Sequence, residues 1–120
     1  MAKKPSSTNP DLPAPVTDPT TAEDFFARGW THYSKKEFFR AESDFRKALD
    51  LAPDQPDQMY GLGQALQASG RPVEAVEAFD RLLRILANPS PENLVRYHMI
   101  AKLARGHVNF IKTGDWKLNQ

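Results

Sequence analysis

The ionisable side chains of this 120-residue sequence show none of the spacings that catalysis or metal binding requires. Its three histidines, His32, His98 and His107, have no metal-ligand spacing, and the last two would lie on opposite faces of an ideal helix. The absence of cysteine excludes disulfides, thiolate catalysis and cysteine-ligated zinc. The acidic pair Glu23 and Asp24 is typical of a helix start rather than of acid–base chemistry. We therefore expect no enzymatic activity, no metal and no cofactor.

The residue types that could bind something are aromatic. Phe26, Trp30 and Tyr33 follow one another at steps of four and three, so on a helix they form one stripe. Large aromatic side chains are common hot spots of protein interfaces. The stripe is compatible with a groove wall that grips an apolar anchor of a partner. It is equally compatible with core packing, under the N-terminal segment or against the last helix.

The two ends of the chain differ from its middle. Residues 1–19 are rich in Pro, Ser and Thr and contain five of the ten prolines, which predicts a disordered tail. The alternative is a docking arm, since Pro10, Pro13 and Pro15 favour the polyproline II conformation. Residues 114–120 form a short C-terminal tail, in which Trp116 offers an additional contact.

Composition and charge narrow the class of protein. Hydrophobic residues make up 40% of the chain and charged residues 26%, as in soluble globular proteins. The sequence contains neither a membrane-spanning apolar run nor the apolar stretch of a signal peptide, so we expect a cytoplasmic protein without membrane insertion. The net charge of +1 argues against a dedicated nucleic-acid binder.

Helix signals divide the middle of the chain into five helices joined by short connections, which favour antiparallel neighbours. The first begins at Thr20 or Thr21, where Thr20 and Glu23 fit a capping box. Pro and Gly mark most of the other ends. The remaining predicted helices cover 37–51, ended by Pro53; 56 to a left-handed cap at Gly70; 72 to about 87; and about 91–113.

Small and aromatic residues recur at a spacing of 34 in the first four helices. The pairs are Gly29 and Gly63, Ala41 and Ala75, and Phe45 and Phe79; the first copy also contains Ala48 and Pro53. The small residues allow two helices to approach closely, and the phenylalanines fill the space next to the following copy.

This pattern resembles the tetratricopeptide repeat, a 34-residue helix–turn–helix unit. The resemblance implies an all-α fold, a short right-handed α-solenoid of antiparallel helix hairpins with about five helices. It places a repeat domain at 20–113, with repeat one at about 22–55, repeat two at about 56–89 and a closing helix at about 91–113.

The sequence departs from the family pattern at two places. Arg28 and His32 replace large apolar and aromatic residues in the first copy, so we expect them to be partly exposed at an uncapped end. A third copy fails at the same spacing, because the positions 34 residues after Gly63 and Ala75 are Tyr97 and Asn109.

The resemblance also implies that the first helix of each repeat lines a concave groove, which binds a peptide or helix of another protein. The residues predicted to line it are Glu23, Phe26, Trp30, Tyr33, Asp57, Tyr60, Gln64 and Gln67, with Arg105, Val108 and Lys112 from the fifth helix. Phe26 and Trp30 occupy positions where chaperone-binding members carry a Lys and an Asn of their carboxylate clamp, so a chaperone tail is not expected as ligand.

The predicted function is a protein–protein interaction scaffold or adaptor, in the form of a small subunit or assembly factor of a larger complex. Because the groove is short, tight binding would need self-association or burial within an assembly. The alternative is a nucleic-acid-associated protein, since the chain from Ser90 onward carries five Lys/Arg residues and only Glu92 and Asp115 as acids.

Overall fold

The computed structural model describes residues 18–115 of the chain. Within this range the secondary structure consists of five α-helices and one 3-10 turn, Pro91–Asn93, which confirms the predicted all-α class. The helices are α1 (Ala22–Ser34), α2 (Phe38–Leu51), α3 (Pro56–Ala68), α4 (Pro72–Ile85) and α5 (Leu94–Thr113). Trp116 and almost all of the predicted N-terminal tail lie outside the described residues.

The start of α1 is a capping box, one residue later than the sequence predicted. The hydroxyl of Thr21 accepts a hydrogen bond from the backbone N–H of Asp24 at 3.0 Å, and the Asp24 carboxylate accepts one from the Thr21 N–H at 3.4 Å. The prediction of Thr20 and Glu23 was wrong because both adjacent pairs have suitable side chains. The backbone N–H of Thr20 also donates to Asp24, and this bond is the main cause of the lowered pKa of that carboxyl.

Each odd-numbered helix ends in a turn with left-handed backbone. Gly70 has φ of 80° and Gly114 φ of 75°, as expected for a glycine cap, and the predicted cap at Gly70 is confirmed. Lys36, located 34 residues before Gly70, has φ of 64° although a side chain disfavours this region. The hairpin turn is therefore a repeated feature, which the position of Lys36 in the repeat imposes on a non-glycine residue.

Consecutive helices pack against each other along the whole described chain, so the hairpins stack into a short solenoid. The fully buried rings of Phe45 and Phe79 lie at the centre of this stack. A Cβ on Gly29 would lie 2.7 Å from Phe45 Cε1, and one on Gly61 would lie 2.9 Å from the same atom. Phe45 thus occupies the space between α1 and α3, which the absence of side chains at these glycines creates. Ala41, Ala48 and Ala75 are also fully buried.

A polar contact holds the first hairpin together. The Arg28 guanidinium donates from Nε to Asp44 Oδ2 at 2.9 Å and from Nη2 to Asp44 Oδ1 at 2.8 Å. The side chain of Asp44 is only 4% exposed, so this carboxylate depends on Arg28 for compensation of its charge. Next to it, His32 Nδ1 lies 2.6 Å from Glu37 Oε1. Arg28 and His32 are partly exposed, as predicted, and both also connect α1 to the start and middle of α2.

A candidate binding face formed by the odd-numbered helices

The surface formed by α1, α3 and α5 brings together most of the side chains predicted to bind a partner. We call it the inner face. Direct contacts join its helices: Asp57 on α3 forms an ion pair with Arg96 on α5, and Tyr60 on α3 contacts His107 on α5. Its members are Glu23, Phe26, Trp30 and Tyr33 from α1, Asp57, Tyr60, Gln64 and Gln67 from α3, and Arg96 and His107 from α5.

The α1 end of the inner face is aromatic. The Trp30 ring lies 5.0 Å from Phe45 and 5.2 Å from Tyr33 between ring centroids, in edge-to-face arrangements, and Phe26 lies 5.9 Å from Phe45. All three α1 rings are partly buried and keep some surface exposed. Among the described residues, the ring contacts of this cluster to other helices go to Phe45 and Phe38 of α2, not to α5. Both interpretations of the stripe therefore apply, since its rings pack on the core and still reach the surface.

The middle of the inner face is a hydrogen-bonded cluster of Tyr60, His107 and Gln67. The Tyr60 hydroxyl oxygen lies 3.0 Å from His107 Nε2, and His107 Nδ1 lies 2.9 Å from Gln67 Oε1. The imidazole also stacks on Phe79 with centroids 4.9 Å apart and planes 6° apart. The imidazole is thus held on both ring nitrogens and on one face.

These contacts define the protonation states of the cluster. Because Gln67 Oε1 only accepts, His107 Nδ1 carries the proton, and Nε2 accepts from the Tyr60 hydroxyl. This arrangement requires a neutral imidazole, and burial lowers the pKa of His107. Burial also raises the pKa of Tyr33 and of Tyr60, so both phenols remain hydrogen-bond donors at neutral pH. The inner face therefore offers neutral polar groups between its aromatic end and its charged rim.

The rim carries the charges. Glu23 is exposed near the start of α1. Asp57, near the start of α3, is about half exposed and paired with Arg96, whose side chain is also half exposed. Gln64 lies between the aromatic end and the His107 cluster in sequence register and is partly exposed.

The fifth helix contributes different residues from those predicted. Lys112 is exposed and lies beside Pro72, Val73 and Val76 of α4, and Val108 packs against the core. Arg105 is exposed and is two residues from His107, which places it roughly 160° away around the helix. The structure therefore brings His107 and Arg96 to the inner face and places Arg105 and Lys112 elsewhere.

A short repeated motif explains the register of α5. Ala104-Arg105-Gly106 matches Ala27-Arg28-Gly29 of α1, so His107 falls at the position of Trp30. Both rings lie about 5 Å from a core phenylalanine, Phe79 and Phe45 respectively. The spacing from Gly63 to Gly106 is 43 residues rather than 34. The third copy of the first repeat helix is thus present but displaced by nine residues, which is why the fixed spacing missed it.

The chemistry of the inner face is that of recognition. Within residues 18–115 no group of three or more His, Asp or Glu side chains is placed to hold a metal ion. None of the described helices combines the length and apolar character needed to cross a membrane.

Comparison with known proteins gives matches in sequence. A family model described as tetratricopeptide repeat matches residues 33–96. Small glutamine-rich tetratricopeptide repeat-containing protein 2 of Saccharomyces cerevisiae is 32% identical over 96 residues, covering 79% of this chain and 28% of its own length. Cellulose synthase operon protein C of Pseudomonas fluorescens is 36% identical over 69 residues, covering 58% of this chain and 5% of its own length. The chain thus spans less than a third of either relative, and no solved structure matches it.

Proposed function

Since the chain belongs to the tetratricopeptide repeat family, whose members are generally protein-binding scaffolds, we propose that its inner face binds a peptide or helix of a partner protein. The observation that carries this proposal is the α1 aromatic cluster. Phe26, Trp30 and Tyr33 are fixed by packing on Phe45 and keep part of each ring at the surface. Rigid, partly exposed aromatic rings bind with little loss of conformational entropy.

The arrangement of groups suggests which segment would fit. An apolar anchor of the ligand would contact the aromatic cluster. Next to it, the amide groups of Gln64 and Gln67 offer donors and acceptors for a peptide backbone. The exposed carboxylate of Glu23 would favour a basic residue near the anchor. The ligand of this proposal is therefore an apolar segment with a neighbouring cation.

The size of the inner face bears on the setting. Three helices give a short groove, so the proposed role is that of a small subunit or assembly factor, within a larger assembly or a self-associated form. A short apolar contact alone gives modest affinity, because association costs several kcal/mol in lost freedom of motion. The cytoplasmic location expected from the sequence belongs to the same proposal.

Nucleic-acid binding through α5 has weaker support. This helix contains four Lys/Arg residues and no Asp or Glu. However, Arg96 already pairs with Asp57, and Lys112 lies against α4 while Arg105 points elsewhere. A spread of this kind does not form the continuous basic stripe that contacts a phosphate backbone.

Site-specific cross-linking tests the proposed function. A photo-reactive residue replaces Gln64 on the inner face or, as the matched control, the exposed Ser43 on α2. Irradiation in host extract should give one dominant cross-linked protein from position 64 and not from position 43. The same products from both positions, or none from position 64, would contradict the inner-face assignment.

A further inference from the structure

The side of α5 that faces away from α4 reproduces a docking surface that is used elsewhere in this chain. In the first hairpin α2 docks on α1 through two adjacent residues: Asp44 accepts hydrogen bonds from Arg28, and Phe45 packs where Gly29 has no side chain. An acidic residue followed directly by an aromatic one is thus the chemistry that an Arg-Gly pair accepts here.

The same pair recurs in α5 as Arg105 and Gly106. Arg105 is exposed, and within residues 18–115 its guanidinium has no carboxylate partner. Gly106, like Gly29, is one of the buried residues of its helix. Ala104, two positions earlier and fully buried, belongs to the opposite side of the helix, which packs towards α4.

Apolar side chains extend this surface. Met99 and Val95 precede Gly106 by seven and eleven residues and therefore lie on the same side of α5. They are 59% and 74% exposed. Together with Arg105 and Gly106 they define what we call the outer face of α5. It combines apolar residues with a cation, as does the α1 surface on which α2 docks.

Charge indicates what covers the outer face. Because α5 carries four cations and no acid, a second copy packed through the same helix would place cations against cations. An acidic helix has complementary charge. We propose that the outer face binds an amphipathic helix of another polypeptide that carries an Asp or Glu followed directly by a large aromatic residue.

In this complex the acidic residue of the partner pairs with Arg105 and the aromatic residue packs on Gly106, which completes a third hairpin. The site goes beyond the proposed function, because Arg105 and the inner-face residue His107 lie on opposite flanks of α5. Failure of one therefore leaves the other untouched.

The chain supplies its own probe, a peptide with the sequence of α2 (Phe38–Leu51), which contains Asp44 and Phe45 and balances three basic with three acidic residues. Isolated helices of this length are marginal in water, so we expect a dissociation constant of roughly 100 μM. Addition of the peptide to the full chain should shift the backbone amide NMR signals around Arg105 and Gly106.

Charge exchange gives the decisive comparison. Arg105→Glu in the full chain should weaken binding of the peptide about tenfold, since it removes a charged hydrogen bond and adds repulsion. A peptide with Asp44→Lys should recover most of this loss on the Arg105→Glu chain and bind the unmodified chain poorly. Lys47→Glu, an exposed charge reversal on α2 of the protein, is the matched control and should leave affinity unchanged.

Several results would overturn the proposal. They are an absence of shifts up to about 1 mM peptide, equal affinity of the unmodified and Arg105→Glu chains, and shifts confined to the inner face around Gln64. Concentration-dependent shifts of the α5 signals without peptide would assign the outer face to a second copy instead. Because Arg105 is exposed, circular dichroism should show an unchanged fold in the variant.

Discussion

The close contact between Gly63 and Phe79 leads to a prediction whose sign tests the packing directly. A Cβ on Gly63 would lie 2.6 Å from Phe79 Cε1 and 2.7 Å from Cζ, so the ring would have to move by about 1 Å to reach ordinary contact distance. Phe79 is fully buried and has little room to move. The cost of such overpacking is roughly 2 kcal/mol.

An opposing effect makes the prediction quantitative. Replacing a glycine inside a helix by alanine stabilises the helix by about 1 kcal/mol. Gly63→Ala should therefore lower the free energy of unfolding by roughly 1 kcal/mol rather than raise it. In a Phe79→Leu background the shorter side chain leaves space for the new Cβ, and the same Gly63→Ala change should raise it by about 1 kcal/mol.

The assay is urea unfolding of the four proteins followed by circular dichroism at the helix band. The double-mutant cycle should give a coupling of about 2 kcal/mol between positions 63 and 79. If Gly63→Ala stabilises the unmodified chain as much as it stabilises the Phe79→Leu chain, the two residues do not compete for space and the packing argument fails.

Two further predictions concern the polar contacts. Asp44→Asn keeps the shape of the side chain but removes the carboxylate that accepts from Arg28, and should cost about 1–3 kcal/mol in urea unfolding; an unchanged midpoint would show that the buried pair contributes nothing. His107 has a folded pKa below its ordinary 6.5, so its contribution to stability is fully present above about pH 6.5, decreases as pH falls below that value, and is completely lost below the folded pKa. The difference in unfolding free energy between the unmodified chain and His107→Gln should decrease over this range, and a constant difference would contradict the neutral imidazole.

The part of the fold that depends on local spacing was predictable. Gly29, Phe45 and their partners 34 residues later are small or aromatic because of direct packing, so their types alone indicated the hairpins. The exact cap of α1 was not predictable, since Thr20 and Thr21 have the same side chain and Glu23 and Asp24 the same charge. Only the backbone geometry selects between them.

The candidate site was predictable on α1 and α3 but not on α5. Nine additional residues displace the third repeat helix, so residues placed by a constant spacing, such as Arg105, came to the wrong side. The repeated Ala-Arg-Gly triplet was the available signal. The contact of His107 with Tyr60 and Gln67 joins residues 47 and 40 positions apart, and a sequence contains no local pattern for such pairs.

The most direct test of the central claim is the affinity of the partner recovered by cross-linking for three forms of the chain. Gln64→Arg places a long charged side chain on the inner face, and Ser43→Arg places the same side chain on the exposed surface of α2. We expect Gln64→Arg to weaken binding at least tenfold, or about 1.4 kcal/mol, in isothermal titration calorimetry, and Ser43→Arg to bind like the unmodified chain. Equal affinity of all three forms would show that the inner face is not the binding surface.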